Sequence, residues 1–129
     1  MKTLIIAWAV LSLSVLGNGQ KQKKAGDVTI LEAKARRAEG KILVDGRIRI
    51  TAQKALHGVV VIFDFISQEN GVMATEKTVV EEDLIEPGQE RSYHAETSDP
   101  VRAVRYRIRT FDMGDREMRT DNSGPFSIE

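Results

Sequence analysis

Two histidines, His57 and His94, and no cysteine limit the chemistry available to this chain of 129 residues. A zinc site built on three imidazoles is out of reach, and no spacing marks a carboxylate that would complete one. Without cysteine there is no thiol nucleophile and no thiolate metal knuckle. The Gly-x-Ser-x-Gly motif of nucleophile-elbow hydrolases is missing, and Ser123-Gly124-Pro125 reads as a strand break. The two histidines therefore read as surface or strand-edge residues. No catalytic, cofactor-binding or metal-ligating residue is assigned.

Three groups of charged residues remain. Asp112, Asp115 and Asp121 lie around the last predicted hairpin, where clustered carboxylates can hold calcium. Their spacing is irregular, and an Asp that accepts hydrogen bonds from its own turn is the plainer reading. Glu81-Glu82-Asp83, with Glu86 and Glu90, forms an acidic stretch. Arg105, Arg107 and Arg109 alternate along one predicted strand, about 6.5–7 Å apart by strand rise. They would suit the repeating carboxylates or phosphates of an anionic polymer or an acidic partner. The plainer alternative pairs them with acidic neighbours across a solvated sheet face, where each exposed pair contributes ~0.2–1 kcal/mol. Asp64 is the one charge inside the most apolar strand, and it is expected to face one of these arginines.

Composition narrows the partners further. Basic and acidic residues are equal in number, 19 of each. Losing Lys2 with a leader leaves about −1, so no global charge favours nucleic acid or anionic membrane. The few aromatics also speak against single-stranded nucleic acid, which needs stacking platforms. Residues 1–19 read as a signal peptide: Lys2, the uncharged run Leu4–Leu16, then Gly17-Asn18-Gly19, with cleavage after Gly17 or Gly19. That run is shorter than the roughly 20 residues of a membrane-spanning helix, so no stable membrane anchor is expected after cleavage. Residues 20–26 are polar and Lys-rich and read as a disordered linker. The destination is then the periplasm or the extracellular space. An exported domain without disulfides must be held by its core.

The elements that carry these residues are strands, and they place one domain at 27–129. Ile42 to Thr51 alternates strictly, with Ile42, Val44, Gly46, Ile48 and Ile50 on one face. Gly46 on that inward face calls for a neighbouring side chain or a bulge to fill its place. Gly58 to Ile66 is apolar on both sides, as in a strand covered on both faces. Asn70-Gly71 marks a hairpin turn, and a strand follows from Val72 to Val80. Glu86-Pro87-Gly88-Gln89 fits a type II turn. Further strands are expected at Arg91–Glu96, Val101–Phe111, Arg116–Thr120 and Phe126–Glu129. Asp27 to Ala38 is double-valued: its alternation suits a strand, and Leu31 to Ala38 also has high helix propensity, with Gly40 placed as a C-cap. The strand is favoured because everything after it is β. About seven short strands with regular turns suit an immunoglobulin-like antiparallel β-sandwich.

Ile42 to Thr51, Leu56 to Phe65, Asn70-Gly71, and Leu84-Ile85-Glu86-Pro87-Gly88-Gln89 with Tyr93 together resemble the FxLYD domain family. The resemblance runs from about Ile42 to Arg109, with Phe63-Asp64-Phe65 standing near the name-giving string. It implies a small extracellular or envelope domain of immunoglobulin-like fold with no assigned catalytic residues. The expectation is a non-enzymatic module that binds an envelope protein or an anionic glycan without a cofactor, Arg105, Arg107 and Arg109 being its candidate face. A small hydrolase or metal-dependent enzyme, or a structural spacer, are the alternatives.

Overall fold

Period-two alternation in Ile42 to Ile50 becomes alternating burial. Ile42, Val44, Gly46, Ile48 and Ile50 are buried, and the residues between them face outward. The same logic repeats along the chain. The computed structural model describes residues 26–100 and 102–129. Its strands are β1 (Val28–Ala38), β2 (Lys41–Ile50), β3 (Leu56–Ser67), β4 (Val72–Ile85), β5 (Glu90–Ser98) and β6 (Ala103–Phe111), then three two-residue strands, β7 (Glu117–Met118), β8 (Thr120–Asp121) and β9 (Phe126–Ser127). The expected leader at 1–19 lies outside the described residues. Of the expected linker, Gly26 is described; it is buried, and its N–H donates to Asp121 Oδ2 at 2.7 Å.

Two sheets face each other. The larger runs β9–β6–β3–β4, with β7 also on β6; the smaller runs β5–β2–β1–β8. All pairs are antiparallel except β8, which lies parallel to β1. Hairpin β1–β2 belongs to the smaller sheet and hairpin β3–β4 to the larger. Strand β5 then crosses back to pair with β2, and β6 returns to β3. This is the Greek-key wiring of an immunoglobulin-like sandwich. Six long strands and three very short ones replace the seven of the sequence reading.

The ambiguous first segment is a strand. Glu39 and Gly40, at φ 55° and 78°, form the two-residue turn that returns β1 onto β2. A glycine after a helix and a glycine in such a turn both need positive φ, so Gly40 could not separate the two readings locally. The β2 partner decided, since pairing runs from Val28↔Ile50 to Ala38↔Lys41. At the next hairpin the positive φ belongs to Asn70, at 70°. The Asn70 N–H donates to Ser67 O and the Ser67 N–H to Gly71 O, both at 2.9 Å. Gly88, at φ 88°, occupies the expected position of the type II turn.

The core is filled from both sheets. Phe63, Phe65, Tyr106 and Ile108 from the larger sheet meet Ile30, Ile42, Val44 and Ile48 from the smaller. Tyr93 of β5 reaches across, its ring 5.6 Å from that of Phe63. It stands opposite Gly46 in register, and a Cβ at Gly46 would lie 2.2 Å from its hydroxyl and 2.1 Å from Glu32 O. The expected filling of the Gly46 position is therefore met twice, by the Tyr93 ring and by a bulge between Ile30 and Glu32 in β1.

Candidate functional site

Outward-facing side chains distinguish the two sheets. On the smaller sheet nearly every charge has an opposite within reach. Arg47 bonds Glu90 at 2.7 Å and Glu32 at 3.3 Å, Arg49 bonds Glu90 at 2.7 Å, and Lys34 bonds Glu32 at 3.2 Å. His94 belongs to this lattice, its Nδ1 2.6 Å from Asp45 and its Nε2 3.3 Å from Glu96. Asp45, and then Glu96, raise the imidazole pKa above its ordinary value. Lys34 and Arg47 lower that of Glu32, and Arg49 lowers that of Glu90. His57 opens β3 on the other sheet, exposed, its carbonyl accepting the Met113 N–H at 3.0 Å. The fold thus puts the two histidines on different sheets. Neither lines the β6 notch or the concavities at Gly46–Tyr93, Thr51–Leu56 and Lys34–Leu43.

The loop carboxylates shape turns. Asp112 Oδ1 accepts the N–H of Gly114 at 2.9 Å and of Arg116 at 3.0 Å. Those bonds, with the Arg116 guanidinium, lower its pKa. Asp121 takes the Gly26 N–H described above, and Asp115 sits in the turn at φ 65°. Among the described residues no three His, Cys, Asp or Glu side chains are grouped as a metal would require.

The larger sheet has a different outer face. Arg105, Arg107 and Arg109 all point outward from β6, while Tyr106 and Ile108 between them are buried. They share a face but not a state. Arg109 forks onto Asp64, Nε–Oδ2 at 2.7 Å and Nη2–Oδ1 at 3.0 Å, and Thr75 Oγ1 adds a bond to Oδ1 at 3.1 Å. Asp64 is buried, so the anticipated acid–arginine pairing exists and is shielded on the carboxylate side. Arg105 Nη2 is spent on Asn70 Oδ1 at 2.5 Å, with Ser67 O at 3.4 Å. Arg107 is exposed, and its guanidinium has no hydrogen-bond or ion-pair partner among the described residues.

Arg107 and Arg109 line a notch of about 500 Å³ on the β6 edge, with Ile108 and Met118 also lining it and Glu117, Arg119 and Ser123 around it. Its cause is topological. After β7 pairs with Thr110 and Phe111, the chain leaves the larger sheet to lay β8 on β1. It returns as β9 opposite Arg105 and Tyr106. Between exit and return, β6 is held by the Ile108 N–H donating to Ser123 O at 3.0 Å. Arg119 enters the site this way, and sequence periodicity could not have found it, because it lies in a connection between sheets. Guanidinium groups on an edge with an apolar floor can receive a carboxylate, sulfate or phosphate in fork geometry.

Fold and site together define a β-sandwich of immunoglobulin-like wiring with a basic edge notch. No family model and no curated protein matches the chain. Among solved structures, the β-glucosidase of Kluyveromyces marxianus is similar over 81% of this chain and 14% of its own, at 16% identity and a TM-score of 0.39. The same enzyme in complex with glucose gives 15% identity and a TM-score of 0.37 over the same shares. This chain thus spans about one-seventh of the length of that enzyme.

Proposed function

We propose that this chain is an exported, non-enzymatic binding module of the cell envelope, periplasmic or extracellular, that holds an anionic protein or glycan at the β6 notch. The observation that carries this reading is the uneven state of the charges. The smaller sheet's face is compensated by ion pairs at all but a few positions such as Arg36, whereas at the notch Arg107 is left open beside an Arg109 held in position by Asp64. Arg109 spends two of its five donors there, so a pre-oriented guanidinium faces the notch with donors to spare. The resemblance to FxLYD domains supports the same reading, since those are envelope domains without assigned catalytic residues.

The test is retention of the exported protein on immobilised polyuronate and on a sulfated polysaccharide. Wild type should be retained at low salt and released as salt rises. Arg107→Glu combined with Arg119→Glu should abolish retention, while Lys41→Glu, on the smaller sheet and outside the notch lining, should not. Equal retention of both variants would overturn the proposal. N-terminal sequencing of the exported form should show cleavage after Gly17 or Gly19.

A further inference from the structure

Strand β4 closes the other end of the larger sheet and differs from every other strand in what it exposes. Among the described residues, four of the five most exposed large hydrophobic side chains lie on it: Val72 at 59%, Met73 at 39%, Val79 at 46% and Leu84 at 53%. It pairs with β3 on one side alone. From Val72 to Val80, backbone groups pointing away from β3 have no backbone partner among the described residues. Register with β3 is unbroken from Val60↔Val79 to Phe65↔Ala74, so the open edge is regular over that stretch. An edge of this kind is a ready template for another strand.

Side chains on this edge state what that strand should carry. Glu76 stands opposite Phe63, whose ring is in the core, so its carboxylate points to the inner side of the open edge. Glu76, Glu82 and Asp83 have no ion-pair partner among the described residues. Glu81 is already bound to Arg91 at 2.9 Å, and Lys77 is the single basic residue of the strand. On the outer side, Val79 flanks Val60 and Lys77 flanks Ile62. We infer that the β4 edge accepts an extended peptide strand in which basic and apolar residues alternate. Its basic side chains meet Glu76 on the inner side, and its apolar side chains extend the outer row that holds Val79 and Met73. Backbone pairing supplies the affinity and the alternate side chains the specificity. A second copy of this chain fits less well, because it brings the same acidic edge against itself.

The experiment uses the exported protein and a fluorescein-labelled nine-residue peptide of alternating lysine and valine. Its controls are the same peptide with glutamate for lysine and one with alternate backbone nitrogens methylated. Anisotropy should show the lysine peptide binding at least about tenfold more tightly than either control. Hydrogen exchange should slow across Val72–Val80 and stay unchanged at the β6 notch. Glu76→Lys should lose the preference, and a cooperative melt of that variant checks its folding. The methylated peptide tests the wild type directly if the variant fails to fold. Equal affinity for all three peptides, or no protection of β4, overturns the inference. Concentration-dependent self-association with β4 protected in the absence of peptide overturns it in favour of a second copy.

Discussion

Asp64 shows at the scale of one residue how a charge is tolerated inside an apolar strand. Its carboxylate receives two bonds from Arg109 and one from Thr75, which replace most of the water it loses. Asp64→Ala should cost about 2 kcal/mol in urea denaturation, because charged hydrogen bonds are lost. Glu82→Ala should stay within about 0.5 kcal/mol, as surface substitutions do. Equal losses would disprove the assignment. The two core tyrosines make a second contrast. Tyr93 donates its hydroxyl to Glu32 O at 3.0 Å, whereas the Tyr106 hydroxyl is buried with no partner among the described residues. Burial pushes both phenol pKa values up. Tyr93→Phe should therefore cost about 1 kcal/mol, and Tyr106→Phe should be neutral or stabilising. His94 titrates with a raised pKa. Its folded pKa is raised by Asp45 and Glu96, so its ion pairs support the fold at pH below the ordinary imidazole range and fade as pH rises through the folded value. An NMR titration should place the His94 midpoint above that of a free imidazole, and Asp45→Asn should bring it down.

At the scale of elements, pairing overrode local preference. The Leu31 to Ala38 stretch is a good helix former by composition, yet β2 lies a two-residue turn away and its ladder holds the stretch extended. A helix there would strand the Ile42–Ile50 face without a neighbour on that side. Gly46 is the hinge of this arrangement, since the β1 bulge and the Tyr93 ring both occupy the space a side chain would take. Gly46→Ala should cost about 3 kcal/mol through overpacking, measured as a drop in the denaturation midpoint with unchanged slope. Little loss would mean that the bulge can open.

At the scale of the molecule, the last residues stitch the sheets together. Ile128 N–H donates to Val104 O on the larger sheet, and Glu129 N–H to Ala35 O on the smaller, at 3.1 and 3.0 Å. The Phe126 ring lies 5.4 Å from Tyr106. Deleting residues 126–129 should cost about 2 kcal/mol or more, since a half-buried aromatic and several bonds go with them. Unfolding should remain a single transition, because the two sheets share one core. Separate transitions for the two sheets would show that the core does not couple them.

Read alone, the residues were enough for β2 and its apolar side, because a period of two is written directly into it, and for β3 as a strand covered on both faces, whereas β1 was settled only by its pairing with β2. The type II turn, the turn carboxylate of Asp112 and an arginine partner for Asp64 were legible for the same reason, each being a local pattern or an imbalance that burial must settle. The different states of the three arginines were not legible. Arg109 found Asp64, Arg105 found Asn70 and Arg107 was left open, which depends on the register of β3 against β6 and on where the chain leaves the sheet. Arg119 and the open β4 edge belong to the same class. A groove between an exit and a return, or a strand with one neighbour, exists only once the sheets are assembled, because sheet order is set by long-range packing that no local spacing encodes.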